Sequence, residues 1–98
     1  MDVPRFREDA DPIEVIRQLR QVLSKVFHDT NNPLAIVSGN AQYVLELGKT
    51  LDLSEDVVGP VRDIEEASER VAEGLRDVSR IREEIDSYLE RVDARGTS

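Results

Sequence analysis

Residues 57–92, VVGPVRDIEEASERVAEGLRDVSRIREEIDSYLERV, decide the fold. Val57, Val61, Ile64, Ser68, Val71, Leu75, Val78, Arg82, Ile85, Leu89 and Val92 recur at alternating spacings of four and three. That is the heptad period of an α-helix packing one stripe against other helices. Glutamate, aspartate and arginine fill most of the remaining positions. The start of the helix can be read in two ways. Ser54 is a good cap, and Gly59-Pro60 offers proline at a first helical position. A short turn over 54–58 and a main helix over about 60–93 satisfies both. Gly96 ends it, with residues 94–98 expected as a frayed tail.

Working back from this helix, residues 12–48 carry a second amphipathic pattern. Asp11-Pro12-Ile13-Glu14 reads as a cap, a proline at the first position and a glutamate able to reach back to the cap. Ile13, Ile16, Leu23, Phe27, Thr30, Leu34, Val37, Ala41 and Val44 then follow a heptad-like stripe. Arg20 falls in its register, with Leu19 and Val22 beside it. Gly48 is the expected stop, and 49–59 the connection. Pro33 lacks the N–H that would reach the carbonyl of Asp29. A kink is expected there rather than a break, because Phe27, Leu34 and Val37 hold their register across it. Residues 1–11 are expected as a flexible leader.

Composition agrees with a helical bundle. The chain has 98 residues, no cysteine or tryptophan, 39% apolar and 35% charged residues, and one histidine. Large βαβ or barrel enzymes do not fit this length, and thiolate chemistry and disulfides are excluded. The net charge of −8 argues against nucleic acid and anionic membranes as partners. Most of it sits in the second half, where 14 Asp/Glu face 7 Arg. No stretch is apolar enough for a membrane span or signal core, so the expected location is the cytoplasm.

Two helices of this length predict an all-α antiparallel hairpin. One hairpin covers only one side of each stripe, so a second copy is expected to complete a four-helix bundle. Its predicted core includes Phe27, Leu34, Val37, Val44, Ile64, Val71, Leu75, Val78 and Ile85. Gly74, flanking the second stripe, is a candidate for close helix contact.

The lone histidine lies in Phe27-His28-Asp29-Thr30-Asn31-Asn32-Pro33-Leu34. Phe27 is on the stripe, His28 at its edge and Asp29 further out. Asn32 follows His28 by one helical turn. A neutral imidazole is a good nucleophile toward phosphorus. A neighbouring carboxylate can take the ring proton or fix its tautomer, and an amide one turn on can orient water. Each residue alone has a plainer reading: an exposed histidine, a solvated charge, a turn signal. Only their joint spacing lifts them. One histidine with carboxylates on a helix lacks convergent ligands, so no metal site is expected.

The stretch HDTNNPLAIVSGNAQYVLEL resembles the H-box of the dimerisation and histidine-phosphotransfer (HisKA-type) domain of two-component sensor histidine kinases. His28, Asp29, Asn32, Pro33, Leu34, Ile36 and Gly39 match its pattern. IEEASER from Ile64 and LRDVSR from Leu75 resemble the returning helix, so the likeness covers about 12–92. The resemblance implies that His28 carries the phosphoryl group on Nε2 and that Asp29 is the general base. Asn32 would position water in a phosphatase reaction, and Pro33 would bend the helix. Ala35, Ser38 and Gln42 would face a docked response-regulator receiver. The family continues into an ATP-binding domain, whose glycine-rich boxes are not among residues 1–98. No cofactor is therefore expected on this chain. ATP and Mg²⁺ would come from a separate domain or partner, in cis or in trans. Whether the chain is a piece of a kinase or a free-standing module stays open. So does a non-catalytic alternative, a dimerisation and docking module that binds a kinase or receiver without phosphotransfer.

Overall fold

The computed structural model describes residues 5–96. It is all-α: α1 runs from Pro12 to Leu51 and α2 from Glu55 to Gly96, 40 and 42 residues. Residues 1–4 and 97–98, the ends of the expected leader and tail, lie outside the described residues.

Helix α1 starts as its sequence dictates. Asp11 Oδ1 accepts from the Ile13 amide at 3.0 Å and Pro12 occupies the first position. Glu14 accepts instead from Gln18 Nε2 at 3.5 Å, one turn on. Ahead of the cap, Ala10 N–H donates to the Arg7 carbonyl at 3.0 Å in a turn. The helix continues through Pro33, so two short helices are ruled out.

The connection is much shorter than expected. It comprises 52–54, not 49–59, and corrects three readings. First, Gly48 does not stop α1. It is buried inside the helix, where an added Cβ would lie 2.9 Å from Val58 Cγ2. Its missing side chain serves close approach. Second, the left-handed stop is Asp52, with φ of 51°. The Leu53 amide donates back to the Gly48 carbonyl at 3.0 Å, closing a Schellman turn usually given to glycine. Third, Ser54 wins over Pro60 as the start of α2. Its Oγ accepts from the Asp56 amide at 3.1 Å, while its carbonyl receives Val57 and Val58 at 2.9 and 3.0 Å. Once that cap nucleates the helix, Pro60 costs one backbone bond within it. Residues 94–96, expected as part of a frayed tail, are helical.

The chain divides into two compact units. One joins residues up to His28 with those from Asp77, and the other is Asp29–Arg76. Within the second, the helices pair antiparallel across the turn. Ala41 and Gly48 of α1 and Ser68 and Leu75 of α2 are buried. Ser68 donates to the Ile64 carbonyl at 2.8 Å, which satisfies its buried hydroxyl. The heptad stripe of α2 thus resolves into two rows. The row through Ser68 and Leu75 faces α1. The row through Val57, Ile64 and Val71 stays 49%, 46% and 45% exposed, as does Val37 of α1 at 45%. Gly74 has open space around it within the chain, so the expected close contact is absent there and found at Gly48 instead.

Within the first unit Leu89 is buried, and cross-helix pairs run in antiparallel order. Arg17 pairs with Asp93, Arg20 with Asp86 at 2.6 Å, and Arg82 Nη1 donates to Ser24 Oγ at 3.4 Å. Arg20, a charge in an apolar register, is accommodated by its carboxylate partner. That bond and the attraction of Asp86 raise the Arg20 guanidinium above its ordinary value. The same bond, against partial burial, holds the Asp86 carboxyl below the usual aspartate range. Leu19, Ile81 and Tyr88 remain exposed along an apolar groove with Ile16 and Ile85. No helix of the described residues is long and apolar enough to cross a membrane.

Candidate functional site

The boundary between the units falls at the His28–Asp29 bond. On the first unit's side His28 is exposed and helical. Its ring meets that of Phe27 nearly at right angles, with centroids 5.4 Å apart and an interplanar angle of 81°. Phe27 is half-buried, and the Arg82 guanidinium lies over its ring, 5.2 Å from the centroid. Arg82 is held there by two serines, Ser24 from α1 and Ser79 from α2, each at 3.4 Å.

On the second unit's side Asp29, Asn32 and Pro33 are all exposed and helical. Pro33 can send no N–H to the Asp29 carbonyl. Ala35 is exposed. Ser38 and Gln42 are tied to the neighbouring helix. Ser38 Oγ donates to Glu65 Oε2 at 3.1 Å and Gln42 Nε2 to Glu65 Oε1 at 2.9 Å. Both oxygens of one carboxylate on α2 therefore clasp two residues one turn apart on α1. In the sequence Glu65 is one of many acidic residues of the second half. Nothing in its own neighbourhood, Ile64-Glu65-Glu66, separates it from the other glutamates.

The predicted core residues are distributed unevenly. Leu75 is buried, and Phe27, Leu34, Val44, Val78 and Ile85 are half-buried. Val37, Ile64 and Val71 are exposed in the single chain. Arg82 is the residue that sequence reasoning undervalued. It occupies the same heptad row as Leu75 and Leu89, so an arginine there signals a partner for its charge or its plane. Among the described residues no three His, Cys, Asp or Glu side chains are grouped to hold a metal ion.

The chemistry open to this arrangement is that of an accessible imidazole with a carboxylate next in sequence and a carboxamide four residues on. Comparison of the chain with protein-family models, curated proteins and solved structures returns no significant match.

Proposed function

We propose that the chain is a homodimeric phosphoacceptor domain of the histidine-kinase type, acting in the cytoplasm. The observation that carries this reading is His28. It is an exposed imidazole on an uninterrupted helix, followed by Asp29, Asn32 and Pro33 at the spacing of an H-box. The neutral ring attacks phosphorus through Nε2 as the bond to the leaving group breaks. Asp29 takes the proton from Nδ1, leaving a neutral phosphohistidine. The ring then passes the phosphoryl group to a receiver aspartate, with Mg²⁺ held by the partner. In a separate phosphatase reaction Asn32 orients the water that attacks the receiver's aspartyl phosphate, releasing inorganic phosphate and the free carboxylate. The exposed row of Val37, Val57, Ile64 and Val71 supports a second copy as partner, because a bundle would cover it. Ala35, with Ser38 and Gln42 as Glu65 presents them, forms the receiver-facing surface.

The test is labelling with radioactive ATP and a histidine-kinase ATP-binding domain supplied in trans, and separately with phosphoramidate. An acid-labile, alkali-stable label is expected, absent in His28→Ala. Asp29→Asn should slow labelling by roughly 100-fold or more, the scale of a lost general base. Asn32→Ala should spare labelling and slow dephosphorylation of a receiver. A label that survives His28→Ala refutes the assignment. A wild-type chain unlabelled by either donor that still binds a receiver establishes the non-catalytic docking alternative.

A further inference from the structure

A leucine would continue the buried row that includes Leu75 and Leu89 on α2, yet Arg82 stands in it. An arginine stem can fill such a position while its head reaches solvent. Here the head turns inward instead, over Phe27, with Ser24 and Ser79 as its hydrogen-bond partners. The carboxylate one turn further along α2, Asp86, is bonded to Arg20, although it still feels the charge of Arg82. The guanidinium is thus held by two neutral hydroxyls from two helices, flat enough in its preferences to cover an aromatic face. Phe27, covered in this way, meets the His28 ring nearly at right angles.

From this chain of contacts we infer that Arg82 is a positioning residue for His28. It fixes Phe27 from α2, and Phe27 holds the His28 side chain in one χ1 rotamer and so sets the direction in which Nε2 faces solvent. An exposed imidazole on a helix otherwise samples several rotamers. Reaction geometry tolerates little of that freedom, because attack on phosphorus needs the lone pair in line with the leaving group. The inference rests on the phosphoacceptor reading for its consequence, while its structural part stands without it.

The experiment uses the full chain and reads two quantities. The first is the set of Hα–Hβ couplings of His28 by NMR, which report its χ1 populations. The second is the rate of labelling by phosphoramidate, whose P–N bond breaks with loss of ammonia as the Nε2–P bond forms. Arg82→Met keeps the apolar stem and removes the planar cation. Phe27→Leu keeps apolar bulk and removes the ring. Both are expected to average the His28 couplings and slow labelling roughly three- to tenfold, the scale of one cation–π or aromatic contact. Far-UV circular dichroism should remain unchanged. Arg82→Lys should restore part of both losses. Should Arg82→Met lose helicity, Phe27→Leu and Arg82→Lys carry the comparison. Wild-type couplings in Phe27→Leu and in the Arg82 variants overturn the inference. A slowed rate with unchanged couplings overturns it as well, since Arg82 would then act on the phosphoryl group directly. A wild-type chain that takes no label defeats the phosphoacceptor reading, and the couplings still decide the positioning role.

Discussion

Gly48, Gly39 and Gly74 share a residue type and a helical backbone, and differ only in what faces them. At Gly39 and Gly74 an added methyl meets nothing within 4 Å. Replacement by alanine should therefore yield the helix-propensity gain of about 0.5–1 kcal/mol per site. At Gly48 the methyl would sit 2.9 Å from Val58 Cγ2, a branched side chain with little freedom to withdraw. Overpacking of that kind costs about 1–3 kcal/mol, which cancels or exceeds the propensity gain. Urea unfolding at one fixed protein concentration should rank Gly39→Ala and Gly74→Ala above wild type and Gly48→Ala at or below it. A Gly48→Ala variant as stabilised as the other two would mean that Val58 yields freely. The three glycines look alike in sequence because the deciding atom belongs to another helix.

The helices show a different balance between local and distant causes. The cap at Asp11 was legible because a side chain two residues from its amide does the work. The α1–α2 connection was not legible, because Gly48 and Gly59-Pro60 carry familiar stop and start signals. Here a Schellman turn at Asp52 and a cap at Ser54 override them. Charge pairing adds an element-scale prediction. Asp86, held below the usual aspartate range by Arg20, binds its proton less readily in the folded chain than in the unfolded one. Its contribution is thus complete above the ordinary aspartate value of about 3.9 and disappears as pH falls through the depressed folded value. Helicity followed by circular dichroism should decline over that acid range. In Asp86→Asn the share of the decline due to this pair should be missing, with lower stability at neutral pH. An unchanged acid profile in Asp86→Asn would mean that solvent screens the pair.

At the scale of the whole molecule, few side chains among the described residues are buried for two helices of this length, and the apolar remainder falls in rows such as Val57, Ile64 and Val71. Each half-exposed valine or isoleucine covered by a second copy would gain about 1 kcal/mol. Sedimentation equilibrium at micromolar concentration should then give twice the chain mass. Ile64→Lys or Val71→Lys places a charge in the covered row and should shift the mass to the monomer with loss of helicity. Wild-type chain sedimenting as a monomer would remove the bundle. Raised salt should strengthen association, since two chains of net charge −8 repel each other.

The sequence by itself determined the helical class and the cap at Asp11. It also determined the His28-Asp29-Asn32-Pro33 spacing on one helix. All of these rest on local periodicity and on contacts within a turn. Only the tertiary structure decided which half of each heptad stripe faces the neighbouring helix and that Gly48 is a packing residue. Only it decided that Glu65 clasps Ser38 and Gln42, and that Arg82 covers Phe27 beside His28. Those depend on the register between helices far apart in sequence, which the choice among several adequate turn signals sets.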